Sequence, residues 1–290
     1  MKIALGTANF GQKYGLIKKK VTKQEIIKIL NLCKKNNIKL IDTAINYGNT
    51  ETELGKYDLS FFKICTKLPK IPHSKKKDVE NWITKNINQS LKNLNLKKID
   101  YVLMHSTDQL KLGRSRIAYN ILQDFKKKNI IKKIGYSIYS TIELKKFYNK
   151  FKPDVIQAPF NIFDRRIKNT GWLKKLKKEK VEVLGRSIFL KSLLIRSFQF
   201  QKKKFPKFKK TWLEWNSINN NNKNSLRLCL NYAMHEKNIS KFIIGVNNAK
   251  ELKQIIKFSK YKIKQKEKNK IGMIKINSKK ILEPFRWELS

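Results

Sequence analysis

Four reactive side chains stand at the ends of three short apolar runs in the first half of the sequence. They are a carboxylate, a phenol, an amine and an imidazole: Asp42, Tyr47, Lys67 and His105. Each apolar run has the length of a short buried strand. In an α/β barrel the chemistry takes place at the carboxyl ends of the strands. We therefore expect these four side chains to share one cleft.

The residues around the first pair resemble a known family. The string IDTAINYGNTETELG at residues 41–55 resembles the signature of the aldo-keto reductases, and the string GTANFGQKYG near the N-terminus resembles their first strand and loop. The family's catalytic tetrad is matched in type, order and strand position by Asp42, Tyr47, Lys67 and His105. The resemblance runs along nearly the whole chain. It implies an NADP-dependent oxidoreductase that reduces a small carbonyl compound, which is an aldehyde, a ketone or a sugar-derived molecule.

The chemistry of the four side chains agrees with that implication. A phenol has a reference pKa of about 10, and a neighbouring ammonium group favours the phenolate. Tyr47 is thus the candidate general acid, Lys67 the cation beside it, and Asp42 the group that holds Lys67 in place. His105 is placed to donate a hydrogen bond to the substrate oxygen. None of these groups can supply a hydride, so a nicotinamide cofactor is needed.

Taken singly, each of the four residues also has a purely structural interpretation. Asp42 suits a loop cap, Tyr47 a half-buried aromatic, Lys67 a solvated lysine and His105 a hydrogen-bonded histidine at a strand end. Their joint match to one family tetrad is what favours catalysis.

Further positions match the family's cofactor-binding segments. Ser137 and Gln157 match the residues that hold the nicotinamide carboxamide, although Ile138 stands where the family usually has Asn. Arg186 stands where the family often stacks an aromatic ring on the nicotinamide, and a guanidinium can also lie flat against a ring. The full predicted cofactor set is Gly6, Thr7, Ala8, Asp42, Ser137, Gln157, Arg186, Ser187, Gly245, Asn247, Glu251 and Gln254.

The segment after the last predicted strand resembles the part of the family that binds the adenosine half of the cofactor. Asn247 and the N-terminus of the helix behind it suit a phosphate. Glu251 and Gln254 would approach the adenine or the ribose, and Lys250 or Lys253 would favour a 2′-phosphate. The resemblance therefore implies NADPH as the preferred cofactor, with NADH as the alternative.

Short apolar strands alternate with amphipathic helices along the sequence. T-x-x-E and S-x-x-E capping boxes at Thr22 and Ser140 mark the starts of two helices. Eight strand–helix pairs predict an α/β fold, a single-domain (β/α)8 TIM barrel over residues 1–260, with a basic tail over 261–290 that docks on it. The alternative is an open doubly wound sheet, but the sequence contains no GxGxxG motif and no P-loop.

Other boundaries and loops are predicted from weaker patterns. Asp78 is a candidate N-cap, and one helix is predicted over residues 168–180. Residues 190–222 are predicted to be irregular, and connections of this length tend to be functional or mobile. Candidate substrate-pocket residues in the predicted loops are Phe10, Tyr14, Phe163, Trp212 and Trp215.

The formal net charge of +46 usually indicates a nucleic-acid or membrane partner. Here the lysines are spread over the chain, and asparagine and isoleucine are abundant with them, so we attribute the charge to an A/T-rich genome. We expect a small-molecule carbonyl substrate as the partner, with no specific nucleic acid and no membrane. Two alternatives stay open: a cofactor-binding regulatory barrel with little turnover, and a basic nucleic-acid-binding protein.

The cysteines, the histidines and the apolar runs indicate whether disulfide bonds, a metal site or a membrane segment is expected. The three cysteines are widely spaced, as expected for reduced thiols of a cytoplasmic protein rather than a disulfide framework. The three histidines show no metal-ligand spacing, so no metal is expected. No apolar run reaches about 18 residues, and the N-terminus lacks a secretory signal pattern. The oligomeric state is not indicated.

Overall fold

A computed structural model describes residues 1–12, 20–71, 76–111 and 115–288. Eight parallel strands close into a barrel in sequence order, and the last strand pairs with the first. The strands are β1 Ile3–Gly6, β2 Leu40–Asp42, β3 Lys63–Leu68, β4 Ile99–Met104, β5 Ile131–Ser137, β6 Val155–Pro159, β7 Glu182–Arg186 and β8 Lys241–Gly245. The predicted single-domain (β/α)8 TIM barrel is confirmed.

Helices alternate with these strands and cover the outside of the barrel. They are α1 Lys23–Lys35, α2 Thr50–Leu54, α3 Lys76–Leu94, α4 Ser115–Lys127, α5 Thr141–Phe147, α6 Arg166–Asn169, α7 Trp172–Lys178, α8 Phe198–Lys204, α9 Lys209–Ile218, α10 Ser225–Met234, α11 Ala249–Ser259, α12 Gln265–Met273 and α13 Lys279–Leu282. Among the described residues, none of these helices is both long and apolar enough to cross a membrane.

Local hydrogen bonds explain where several helices begin. The Ser140–Glu143 capping box is present, because the Ser140 hydroxyl accepts from the backbone of α5 and the Glu143 carboxylate accepts from the Ser140 N–H. The Thr22 hydroxyl accepts from the Glu25 N–H at the start of α1. Both predicted capping boxes therefore mark true helix starts.

Two predicted helix boundaries are wrong. The helix expected over 168–180 is two helices, because Gly171 adopts a left-handed φ of 78° between α6 and α7, a conformation that glycine tolerates. Asp78 is not an N-cap but lies in the first turn of α3, which begins at Lys76.

The prediction of an irregular segment over 190–222 is also wrong, since this region contains α8 and α9. Both indoles of α9 are fully buried: the Trp212 Nε1–H donates to the Phe205 carbonyl (3.1 Å) and the Trp215 Nε1–H to the Leu194 carbonyl (2.9 Å). The buried position facing them on α8 is polar, because Gln201 donates to a backbone carbonyl and accepts from Asn216. Because this buried residue of α8 is polar, the apolar residues do not repeat at the helical period, and the sequence pattern does not indicate a helix.

The chain after α11 packs against the side of the barrel. The Arg165 guanidinium donates to three backbone carbonyls that end α12, those of Ile271, Gly272 and Ile274. Trp287 is buried against Phe205, with ring centres 5.3 Å apart. These contacts bring the last described turn, Pro284–Glu288, to the carboxyl ends of the strands.

Candidate active site

A buried ion pair lies at the carboxyl ends of β2 and β3. The Lys67 Nζ donates to Asp42 Oδ2 (2.7 Å) and to the Thr43 carbonyl (2.7 Å). The side chains of Lys67 and Asp42 are only 1% and 5% exposed. The second carboxylate oxygen, Asp42 Oδ1, accepts from Gln157 Nε2 (2.8 Å). Both oxygens of Asp42 are thus fixed by partners from other strands.

The environment of Lys67 keeps its amine charged. Burial by itself lowers the pKa of Lys67, but the Asp42 carboxylate outweighs that effect, so the pKa is raised above its ordinary value. The phenol of Tyr47 contributes in the same direction. The side chain of Lys67 therefore keeps its positive charge beneath the site.

Tyr47 lies above this ammonium and beside His105. The Lys67 Nζ is 5.1 Å from the centre of the Tyr47 ring. The Tyr47 and His105 rings meet edge to face, with centres 5.7 Å apart. The Thr50 hydroxyl, at the start of α2, donates to the Tyr47 carbonyl (2.6 Å) and so fixes the loop that carries the phenol. The four residues expected to share one cleft do lie together.

His105 is neutral in this environment. Burial, with the positive charges of Lys67 and Arg186, lowers the pKa of His105 to about 3. Its buried Nδ1 has no hydrogen-bond partner among the described residues. A neutral imidazole has one N–H donor and one acceptor nitrogen, so it can donate to a carbonyl oxygen without carrying charge.

A cavity of about 470 Å³ opens above these groups at the carboxyl ends of the strands. Its lining includes Asp42, Tyr47 and His105, whereas Lys67 lies behind them. Every predicted cofactor residue lines this cavity except Glu251 and Gln254. The cavity is therefore continuous from the phenol and the imidazole to the turn after β8.

The floor of the cavity gives access to the backbone. Gly6 and Gly245 are register partners on β1 and β8, and a Cβ added to Gly245 would meet nothing closer than the Gly6 carbonyl at 3.8 Å. A flat ring or a phosphate can thus approach the main chain here. Ser137 and Gln157, also register partners, present two neighbouring polar side chains. This set of groups fits a nicotinamide cofactor.

Two carboxylates lie at the N-terminal end of α11. The Asn247 N–H donates to Glu251 Oε2 (2.8 Å), and the Ala249 N–H donates to Glu25 Oε2 (2.7 Å). Two carboxylates therefore accept from backbone amides at the N-terminal end of α11, and phosphate binding by Asn247 and this helix end stays a prediction. Glu251 supports the Asn247 turn, and Gln254 is exposed on the next turn of the helix.

Arg186 lines the cavity with its guanidinium held by three neutral contacts. It donates to the Ile138 carbonyl (2.9 Å) and to the Ser187 hydroxyl (3.2 Å), and it lies 4.6 Å from the centre of the Tyr139 ring. The Ile138 side chain, at the position where an Asn was expected, is buried and does not line the cavity. The carbonyl of Ile138 instead anchors Arg186.

The loop after β7 has an uncommon backbone. Leu190, Lys191 and Ser192 all have positive φ angles, between 48° and 70°, although none is glycine. Such conformations are unfavourable for residues with side chains, and they often accompany functional sites. The loop carries Lys191 and Ser192 to the cavity wall.

Sequence reasoning chose the wrong aromatic residues for the pocket. Phe10, Phe163, Trp212 and Trp215 are buried in the core and do not line the cavity, while Tyr14 lies outside the described residues. Besides Tyr47 and His105, the aromatic residues on the wall are Tyr139, Phe189 and Phe285, and the centres of the Tyr139 and Phe285 rings are 4.5 Å apart. Tyr139 lies two residues beyond the predicted Ser137, which is a signal that could have been used. Phe285 has no local signal.

Within the described residues, no group of three or more His, Cys, Asp or Glu side chains is arranged to hold a metal ion.

The three cysteines, Cys33, Cys65 and Cys229, are free. Burial raises the pKa of each thiol, and the nearby Asp42 carboxylate raises the pKa of Cys65 further.

Comparisons with known proteins find one matching family and several proteins of the same fold. The profile of the aldo/keto reductase family matches residues 2–276. Comparison with curated protein sequences finds no significant match. An aldo-keto reductase from Bacillus halodurans, solved in its holo form, superposes with a TM-score of 0.74 at 16% identity, over 93% of this chain and 91% of that one.

Two further solved structures share the fold. A glycerol dehydrogenase from Gluconobacter oxydans superposes with a TM-score of 0.72 at 21% identity, over 93% of this chain and 90% of that one. A protein from Pseudomonas aeruginosa that has been proposed to be an aldo-keto reductase superposes with a TM-score of 0.67 at 19% identity, over 89% of each chain.

Proposed function

This chain belongs to the aldo/keto reductase family, and we propose that it reduces a small aldehyde, ketone or sugar-derived carbonyl compound to an alcohol. The family uses nicotinamide cofactors and acts as oxidoreductases on small carbonyl compounds. The observation that carries the proposal is the grouping of Tyr47, His105 and the Lys67–Asp42 pair around one cavity.

In the proposed reaction Tyr47 acts as the general acid. When bound, a nicotinamide cofactor supplies the hydride that is transferred to the carbonyl carbon. Tyr47 gives its proton to the carbonyl oxygen, and the alcohol forms. The buried Lys67 charge, 5.1 Å from the phenol ring centre, stabilises the phenolate left behind. Asp42 keeps that charge in position.

His105 orients the substrate in this proposal. A neutral imidazole donates one N–H to the carbonyl oxygen, and this hydrogen bond strengthens as negative charge develops on that oxygen. The low pKa of His105 supports this role, because an imidazolium would compete with Tyr47 as the proton donor. The edge-to-face contact of the two rings places both groups on the same side of the cavity.

For the cofactor, Ser137 and Gln157 are the proposed contacts of the carboxamide, and the glycine pair at β1 and β8 gives the phosphates access to the backbone. We propose NADPH over NADH. Lys250 and Lys253 support that choice, because both are exposed on α11 and no ion pair between described residues involves either. A 2′-phosphate would meet these lysines rather than the amides of Asn247 and Ala249, which donate to Glu251 and Glu25.

We also propose a cytoplasmic location, which the three free, buried cysteines support.

The experiment is a cofactor-oxidation screen with purified protein and a panel of aldehydes, ketones and keto-sugars. The panel includes glyceraldehyde and dihydroxyacetone, because one structural neighbour is a glycerol dehydrogenase. Tyr47→Phe is the matched variant, since it removes one oxygen and keeps the ring against His105. We expect the variant to bind NADPH as the wild type does and to lose roughly 100- to 10,000-fold in kcat. Equal cofactor binding with no turnover by either protein would favour a regulatory barrel and overturn the proposal.

A further inference from the structure

We propose that Arg186 makes this site bind the reduced nicotinamide cofactor more tightly than the oxidised one. This inference rests on the proposed function, because it concerns the cofactor of that reaction. It goes further by giving the chain a residue that selects between the two redox states. The reduced ring is neutral and the oxidised ring carries one positive charge, so a fixed cation beside the ring distinguishes them.

The position of Arg186 is fixed independently of any ligand. It ends β7, lines the cavity and is half-buried. The Ile138 carbonyl, the Ser187 hydroxyl and the Tyr139 ring hold its guanidinium. All three contacts are neutral, and no ion pair between described residues includes Arg186. Its full positive charge therefore faces the cavity.

No carboxylate among the described residues forms an ion pair with Arg186, although the Arg186 charge acts on the nearby Glu143 carboxylate. The Asp42 carboxylate is already matched by the Lys67 ammonium and by the Gln157 amide. Glu143 is the carboxylate on the Arg186 side of the site, but it accepts hydrogen bonds from the backbone at Tyr139 and Ser140 and from a threonine hydroxyl. Glu143 does not line the cavity, whereas the cation Lys191 does.

The imidazole of His105 shows that a positive charge is unfavourable in this cavity. The pKa of its imidazole is lowered to about 3 by burial, by Lys67 and by Arg186. The imidazolium and the oxidised nicotinamide ring are both flat, aromatic cations of similar charge. A site that resists protonation of His105 will also resist the positive ring of the oxidised cofactor.

An aromatic side chain at position 186 would have the opposite effect. The face of an aromatic ring is negative and attracts a cation, so it would favour the oxidised ring. Arg186 reverses this preference. In the reductive direction the product is the oxidised cofactor, and a site that holds it less tightly releases it sooner.

The two redox states of the cofactor share their adenosine and phosphate groups. The ratio of their dissociation constants, Kd(NADP⁺)/Kd(NADPH), therefore cancels every contact except those of the nicotinamide ring. Because Arg186 is half-exposed, solvent screens part of its field. We expect a wild-type ratio of at least about ten, which corresponds to about 1.4 kcal/mol.

The experiment measures both dissociation constants by isothermal titration calorimetry at one pH and one ionic strength. Arg186→Met removes the charge and keeps the side-chain length, and Arg186→Lys keeps the charge. Arg196→Met is the control, because Arg196 is a half-buried cation over an aromatic ring, Phe200, but does not line the cavity. We expect Arg186→Met to bring the ratio to within about twofold of one, and the other two variants to keep it near the wild-type value.

The outcomes separate this inference from the proposed function. If neither NADPH nor NADP⁺ binds the wild type, the proposed function fails. If both bind with a wild-type ratio near one, or if Arg186→Met keeps the wild-type ratio, the inference about Arg186 fails while the proposed function stands. Thermal unfolding of each variant shows whether it is folded, and Arg186→Gln replaces Arg186→Met if the methionine variant is not.

Discussion

The ammonium of Lys67 lies 2.7 Å from Asp42 Oδ2, and both side chains are almost fully buried. A buried pair of this kind is strongly destabilised when only one partner is removed, because the other charge is left without compensation. The pair therefore links the stability of the fold to the chemistry of the site.

Lys67→Met tests this link. The variant leaves the Asp42 carboxylate buried and unpaired, so we expect the free energy of unfolding to fall by about 3–5 kcal/mol in urea denaturation. The double variant Lys67→Met with Asp42→Leu removes both charges, and we expect it to recover most of that stability but no activity. A single variant that loses less than about 1 kcal/mol would contradict the assignment of a buried, fully charged pair.

His105 predicts a pH dependence of stability. Its pKa is about 3 in the folded protein and about 6.5 in the unfolded chain, so the unfolded state binds more protons between these values. The stabilisation is complete above about pH 6.5 and is lost as the pH falls toward 3. We expect the stability difference between wild type and His105→Gln to change across this window and to be constant above it, as measured by urea unfolding at a series of pH values. A difference that stays constant from pH 7 to pH 4 would show that His105 keeps an ordinary pKa.

Two of the three exposed lysines of α11, Lys250 and Lys253, predict the cofactor preference. We expect the double variant Lys250→Ala with Lys253→Ala to weaken NADPH binding by roughly three- to tenfold, as exposed charge pairs allow, and to leave NADH binding unchanged. The effect should shrink as salt is added. Lys257→Ala, one turn further along the same helix, is the control. An equal loss of affinity for NADPH and NADH would show that these lysines do not recognise the 2′-phosphate.

Adding a side chain at Gly245 should weaken cofactor binding without destabilising the fold, whereas adding one at Gly135 should destabilise the fold. A Cβ on Gly245 meets only the Gly6 carbonyl at 3.8 Å, so Gly245→Val should fold normally and fill space above the cavity floor. We expect its unfolding free energy to change by less than about 1 kcal/mol and its affinity for NADPH to fall at least about tenfold. A Cβ on Gly135 would lie 1.8 Å from the Val155 carbonyl, so Gly135→Ala should destabilise the barrel itself. If Gly245→Val binds NADPH normally, the cofactor does not use this part of the floor.

The parts of the site that could be predicted from sequence are those carried by local strings. Asp42 ends β2 and Tyr47 follows five residues later, and the alternation of strands with helices predicts Lys67 and His105 on the same rim. Resemblance to a family supplied the roles, since a lysine at a strand end is not informative by itself.

The parts that could not be predicted depend on contacts between distant segments. The Glu25 carboxylate that occupies the Ala249 N–H comes from the start of α1, and nothing near residue 249 indicates it. The burial of Trp212 and Trp215 depends on their packing against Phe163, so two exposed-looking indoles proved to be core. Burial of this kind is a property of the assembled fold, not of a local pattern.

The tilted contact of Phe285 with Tyr139, and the contact of the Tyr139 ring with Arg186, make the turn Pro284–Glu288 a wall of the cavity. A fusion partner attached directly after this turn would lie close to the opening of the cavity. A fusion partner attached ahead of Ile3, at the amino end of β1, would lie at the opposite end of the barrel and leave that opening clear.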